Sequence, residues 1–150
     1  MSNGSRYLEV IYCDDIREEV GNKFSYMGVY SGELTVPIAP LLLSKLCVVA
    51  KVITDIDNPF ESLEVRIVMV KGDDETEILS TGPIPFPADL PRQHDDSARL
   101  MAQMTFMLSP FQIDEETTIR VKAVTESEEL SGTTALRIRI VPSPDSPTIQ

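Results

Sequence analysis

Residues 8–30 read LEVIYCDDIREEVGNKFSYMGVY, a stretch that carries the clearest strand alternation and the densest charge in the chain. Apolar side chains at alternate positions predict a strand with one buried face, and they are Leu8, Val10, Tyr12, Ile16 and Val20. Asp14 and Glu18 interrupt that apolar side. We therefore expect the pleat to break near Asp14 and Asp15, as a bulge or short turn would break it.

The same stretch predicts a hairpin. Gly21 and Asn22 tolerate positive φ, and apolar residues resume directly afterwards at Phe24, Tyr26, Val29 and Tyr30. The chain is therefore expected to reverse at Gly21 and Asn22 and to return as a second, antiparallel strand.

The rest of the chain repeats this period-2 pattern. Strands are predicted by alternation at Leu34–Val36, Leu46–Ile53, Leu63–Val70, Ile78–Leu79, Leu100–Leu108, Ile119–Ala123 and Leu136–Ile140. The second of these, Leu46–Ile53, is apolar on nearly both sides, which is typical of a central strand covered on both faces. Residues 126–132 read as a turn that closes a terminal hairpin, and the prolines of residues 82–91 predict an extended connection.

Short strands separated by turn residues, without a convincing helix, favour an all-β fold. We expect a two-sheet antiparallel β-sandwich, immunoglobulin-like or a related Greek key, with a small β-barrel as the alternative. The expected boundaries are a disordered N-terminus at 1–6, a single β-sandwich domain at 7–141 and a flexible tail rich in Pro and Ser at 142–150.

A family resemblance lies in the opening block and in a second block. Residues 13–19 (CDDIREE), 21–23 (GNK), Ser25 and 28–30 (GVY), followed by residues 43–50 (LSKLCVVA), resemble a family of uncharacterised bacterial and phage or prophage proteins of similar length. The blocks cover less than a third of the chain. The resemblance implies a one-domain protein from such a context and supplies no activity, cofactor or site residue.

Composition narrows the function. The chain has 150 residues, is 42% hydrophobic and carries a formal net charge of -11. This charge disfavours nonspecific binding to nucleic acid or to anionic membranes. No apolar run is long enough to span a bilayer, and the N-terminal residues lack the apolar segment of a secretory signal. We therefore expect a cytoplasmic protein of a bacterial or phage-infected cell, with no nucleic-acid or membrane partner.

Few residues suggest catalysis or metal binding. Cys13 and Cys47 fall in predicted strands and read as free, buried thiols, with a disulfide between neighbouring strands as the alternative. His94 lies in a polar loop without a cysteine at zinc-ligand spacing, so we interpret it as a solvated loop residue. The sequence predicts no catalytic residue, no cofactor and no metal site.

Acidic pairs recur at the predicted turns, at Asp14 with Asp15, Asp55 with Asp57, Asp73 with Asp74, and Asp95 with Asp96. Converging loop carboxylates would bind calcium, but aspartate also favours turns through its own local hydrogen bonds. Because the chain has no Asp-x-Asp-x-Asp-Gly loop, we interpret these aspartates as turn formers.

One pattern points to a binding surface. If the apolar residues of Ile119–Ala123 and Leu136–Ile140 all face the core, then Arg120, Lys122, Arg137 and Arg139 share the opposite face. Like charges on neighbouring strands destabilise a sheet, so they invite an anionic counterpart. That counterpart is either a glutamate of the same domain, such as Glu64, or a partner.

We therefore expect a noncatalytic accessory protein that acts through protein-protein interaction or assembly. The partner is another protein or a second copy of the chain, which would form a homo-oligomer. The alternative is a small hydrolase or metal-dependent enzyme that uses the loop carboxylates.

Overall fold

The structure is a computed structural model, and it describes residues 6–87 and 96–142. These residues form strands and connections, with no helix among them. The strands are β1 (Tyr7–Glu19), β2 (Lys23–Val29), β3 (Glu33–Val36), β4 (Leu41–Leu43), β5 (Leu46–Asp55), β6 (Ser62–Lys71), β7 (Asp74–Ser80), β8 (Ile84–Pro85), β9 (Arg99–Leu108), β10 (Phe111–Ile113), β11 (Thr117–Thr125), β12 (Glu129–Ser131) and β13 (Leu136–Ile140).

Two sheets account for most of the strands. Sheet A has the order β2-β1-β5-β9, and sheet B has the order β3-β13-β11-β6-β7, with β12 added to β11 and β8 to β6. The short strands β4 and β10 pair with each other. The chain passes from β5 in sheet A to β6 and β7 in sheet B, returns at β9, and finishes in sheet B, so it crosses between the two sheets several times.

The protein is therefore an all-β sandwich, as the sequence predicts, and its sheets do not close into a barrel. The pairing is not purely antiparallel, because β3 runs parallel to β13, with Leu34 beside Ile138. Sequence alternation cannot reveal this direction, since it reports which face a side chain occupies and not which way the neighbouring strand runs.

The core lies between the inner faces of the two sheets. Strand β5 is central in sheet A, flanked by β1 and β9, and residues 46–50 of it are buried, which confirms the expectation of a strand covered on both faces. The fully or nearly fully buried residues of the core include Leu8, Tyr12, Leu46, Val48, Leu63, Ile67, Ile113, Ile119, Val121, Leu136 and Ile138.

Strand β1 turns away from the plane of sheet A near Asp14. Residues up to Cys13 pair with β5, and residues from Cys13 onward pair with β2 without a shift in register, so the extra residue of a bulge is absent. The ladder nevertheless lacks a pair between Asp14 and Gly28, where the sequence predicts a break in the pleat. The irregularity lies opposite Asp14, at Gly28, whose φ of 67° is in the left-handed region. The hairpin itself closes as predicted, with positive φ at Gly21 and Asn22.

The middle of β2 folds back over the outer face of sheet A. Tyr26 pairs with Ile16, which along a straight strand would lie about 23 Å from Glu9, the partner of Lys51. Nevertheless, the Lys51 ammonium lies 5.9 Å from the centroid of the Tyr26 ring. The bend thus explains why Cys47 and Val49, on the outer side of β5, are completely buried.

Other sequence expectations have mixed outcomes. The methionine-rich run from Leu100 to Leu108 is a strand, as predicted, and pairs with β5. Residues 126–132 are not a plain turn, because they contain β12, and Leu8 bridges to Gly132.

Residues 88–95, which include His94, lie outside the described part of the chain, as do residues 1–5 and 143–150. No helix that could cross a membrane occurs in the ranges 6–87 and 96–142.

Candidate interaction face on sheet B

Four cationic side chains lie on the outer face of sheet B, and strand parity explains why. Along β11 the buried residues are Ile119, Val121 and Ala123, and along β13 they are Leu136 and Ile138. The two strands pair antiparallel with Ile119 opposite Leu136, so both apolar sets face the core. The side chains between them, Arg120, Lys122, Arg137 and Arg139, therefore point outward.

Lys122 is neutralised within the domain. It is paired across the strands with Arg66 of β6, and its ammonium donates a hydrogen bond to Glu75 Oε1 at 2.6 Å. Arg66 in turn donates to Glu77 Oε1 at 2.7 Å. The hydrogen bond from Lys122 holds the pKa of Glu75 below its ordinary value, since ionised glutamate is the better acceptor. The glutamates of β7 thus balance one end of the basic surface, in the role proposed for Glu64.

The other three cations, which we call the arginine face, are Arg120, Arg137 and Arg139. All three residues are exposed, and their side chains have no hydrogen-bond or ion-pair partner among the described residues. Arg137 is paired with Thr118, so it is a diagonal neighbour of Arg120, and Arg139 follows two positions later on the same strand. Three positive charges therefore lie side by side across two strands.

Two shallow pockets flank Arg137. One, of about 240 Å³, is lined by Gly32, Glu33, Thr118, Arg120 and Arg137 among others. The second, of about 230 Å³, lies on the other side of Arg137 and includes Lys71, Glu116 and Arg139 in its lining. Each pocket contains one carboxylate beside its cations, Glu33 in the first and Glu116 in the second.

The strands below the arginine face are anchored from sheet A. The Tyr12 hydroxyl lies 3.3 Å from the carbonyl oxygen of Ile119 and 3.4 Å from that of Thr134, both acceptors for its proton. Burial raises the pKa of Tyr12, so this group stays a neutral donor. Thr134 also donates to the Val10 carbonyl at 3.0 Å. These hydrogen bonds connect β11 and the residues before β13 to β1 of the opposite sheet.

The acidic pairs do not gather into one site. Lys45, which directly precedes β5, donates a hydrogen bond to Asp15 Oδ1 at 3.0 Å. Asp55 is the last residue of β5, and Asp57 lies beyond it. A ten-residue strand separates these positions by about 30 Å. Within the described residues there is no group of three potential metal-ligating side chains, and Asp95 lies outside them.

The two cysteines face each other across β1 and β5. Cys13 is paired directly with Cys47, both are fully buried, and both are free thiols rather than the alternative disulfide. Desolvation, followed by the neighbouring Cys47, raises the pKa of Cys13 to about 11. A thiol of such high pKa is a poor nucleophile at neutral pH, so the pair behaves as part of the packed interior.

Sequence reasoning missed the buried Arg6. This residue, which the predicted boundaries place in a disordered N-terminus, is only 5% exposed, so the packed part of the chain includes it. Its guanidinium forms an ion pair with Glu126 and lies 4.9 Å from the centre of the Phe60 ring. No local pattern signals this contact, because the two charged residues are 120 positions apart.

Comparison with known proteins identifies the family. No curated protein matches the chain. One family model matches residues 9–139, a range that begins in β1, ends in β13 and includes every residue of the arginine face. The chain therefore belongs to DUF6941, a family of unknown function.

Proposed function

We propose that this protein is a noncatalytic interaction module, an accessory protein of bacterial or phage origin, that binds an acidic segment of another protein through the arginine face. The observation that carries the proposal is that Arg120, Arg137 and Arg139 are exposed and that their side chains have no hydrogen-bond or ion-pair partner in residues 6–87 and 96–142. Arginine suits this role because its planar guanidinium binds carboxylates through paired hydrogen bonds.

Charge distribution supports an acidic partner. The whole chain carries a formal net charge of -11, whereas the three arginines of the arginine face lie beside two carboxylates, Glu33 and Glu116, so this surface has a local excess of positive charge. Lys122 and Arg66, on the neighbouring part of the same sheet, have glutamate partners within the domain. The domain thus neutralises some cations of this sheet and leaves the arginine face to an external anion. Such an anion would be bound with specificity and with a raised association rate.

The test is the double variant R137Q/R139Q. Because these side chains have no partner among the described residues, the free energy of unfolding of the variant should lie within about 0.5 kcal/mol per site of the wild-type value. Binding of a fluorescent poly-glutamate peptide, measured by anisotropy at low salt, should weaken at least about tenfold and should lose most of its salt dependence.

The matched control is K122Q, whose side chain has an internal partner in Glu75. It should leave peptide affinity unchanged and lower stability by no more than about 1 kcal/mol. A destabilised R137Q/R139Q variant with unaltered peptide binding would reject the proposal. Equal binding of a single-stranded DNA of the same charge would instead indicate a general anion site and contradict recognition of an acidic protein.

No observation favours the hydrolase alternative. In the described residues the pairs Asp14–Asp15 and Asp55–Asp57 lie near opposite ends of β5, and the pair Asp73–Asp74 lies at the β6–β7 turn of sheet B. The cysteines are buried, and their pKa values are raised. The two pockets that flank Arg137 are shallow, whereas enzyme sites usually enclose most of a small substrate.

A further inference from the structure

The edge of sheet A formed by β9 differs from the other sheet edges. β9 is ten residues long and pairs with β5 in one continuous register, from Leu46 with Leu108 to Asp55 with Arg99. Among residues 6–87 and 96–142 no strand pairs with its second side. Every second residue of β9 therefore directs its N–H and C=O groups away from the sheet, where another strand can bind them.

The remaining edges carry features that oppose strand addition. β3 has four residues and is followed by Pro37. β7 bears Asp74, Glu75 and Glu77, and its register with β6 shifts at a bulge. β2 bends at the positive φ of Gly28. Short length, charge, bulges and bends are the usual means by which proteins block edge-to-edge pairing.

β9 has none of these protections. It contains no proline or lysine, and its one charged residue, Arg99, is at its first position. The inner-face residues Ala102, Met104 and Phe106 are only partly buried, although the β5 residues beside them are completely buried. On the outer face Met101 and Met107 are 58% and 56% exposed. Apolar side chains thus remain partly uncovered on both faces of this edge.

The sequence of β9 is complementary to itself when reversed about Met104. In an antiparallel pair of two β9 strands centred there, Met101 lies opposite Met107, Ala102 opposite Phe106 and Leu100 opposite Leu108. Apolar residues meet apolar residues, and a small side chain meets a large one. Arg99 falls outside the paired segment, so like charges are not brought together.

We propose that the protein forms a two-fold symmetric dimer in which β9 pairs antiparallel with β9 of a second copy, centred on Met104. The pairing joins two copies of sheet A into one continuous sheet and covers the exposed methionines. A two-fold axis requires a patch that matches itself, and the reversed pattern of β9 meets this condition. The surface lies on the sheet opposite the arginine face, so the dimer does not depend on the proposed function.

The decisive experiment compares two charge variants at exposed positions. M101K/M107K places lysine opposite lysine at both symmetric positions of the proposed register, whereas M101K/M107E places lysine opposite glutamate. The wild type should sediment at twice 16.7 kDa when measured up to about 100 µM. M101K/M107K should raise the dimer dissociation constant at least about tenfold. M101K/M107E should return this constant most of the way to the wild-type value.

A second measurement tests the register directly. M104C should form a disulfide-linked dimer under mild oxidation, because residues opposed on the axis have Cα atoms about 4.5 to 5.5 Å apart. L42C is the matched control at a residue that is 61% exposed outside β9, and it should cross-link much more slowly. A monomeric wild type overturns the proposal. Equal dimer dissociation constants for the two charge variants would also overturn it, and so would equal rates of disulfide cross-linking for M104C and L42C.

Discussion

Replacing Glu126 by glutamine tests whether a buried arginine holds the N-terminal end of the fold. The Arg6 side chain is 1% exposed and that of Glu126 is 20% exposed. Arg6 also donates to Thr54 Oγ1 at 3.0 Å and to the carbonyl oxygens of Asn58 and Pro59, each at 3.1 Å. Glu126 is the carboxylate in this cluster, so E126Q leaves the guanidinium charge buried with neutral acceptors alone.

The expected cost of E126Q is about 3 kcal/mol of unfolding free energy. Removing one member of a buried ion pair typically costs about 3 to 5 kcal/mol, because the remaining charge is desolvated without compensation. The lower end applies here, since water reaches part of Glu126 and the neutral hydrogen bonds of Arg6 remain. A loss of this size is a large fraction of the stability of a typical domain.

The pH dependence gives the prediction a second signature. Desolvation would raise the pKa of Glu126, but the hydrogen bond from the Glu61 N–H and the Arg6 guanidinium outweigh it and lower that pKa below its ordinary value of 4.5. A lowered carboxyl pKa stabilises the folded state above about pH 4.5, and the contribution is lost as pH falls through the folded-state pKa. The difference in unfolding free energy between the wild type and E126Q should therefore become smaller as the pH falls below about 4.5.

Urea denaturation followed by circular dichroism measures the effect, with free energies extrapolated to water at a series of pH values. E128Q, an exposed glutamate in the same connection, is the matched control and should change stability by less than about 0.5 kcal/mol. If E126Q costs less than about 1 kcal/mol at pH 7, or if its cost does not fall in acid, the reasoning about the buried pair is wrong.

Two further predictions concern the loop aspartates and the cysteines. Millimolar calcium should leave the melting temperature nearly unchanged, because the described acidic pairs are dispersed, and a rise of several degrees would reveal a cation site through mass action. Cys13 and Cys47 should resist a thiol reagent in the native protein at pH 8 and react once it is unfolded in denaturant, since both are buried and both have raised pKa values. Rapid labelling of the native protein would contradict this picture.

Much of the fold could be predicted from local patterns. The alternation at Leu8, Val10 and Tyr12 identified β1 and its buried face, although it was wrong at Val20, which lies beyond the end of β1 and is 95% exposed. The unbroken apolar run at residues 46–50 identified the central strand. Parity alone placed Arg120 and Arg137 on one face. These inferences succeed because the side-chain period of a strand is a property of the backbone, and it is the same in every pleated sheet.

Residues distant in sequence decided the rest. The four predicted cations separate into Lys122, which is neutralised because β7 brings Glu75 to it, and the arginine face, which has no partner within the part of the chain that the structure describes. Arg6 is buried because folding places Glu126 beside it. Alternation states which face of a strand is apolar, but it contains no information about strand order or about the direction of a neighbouring strand. Those depend on which surfaces pack together, and only the tertiary structure contains them.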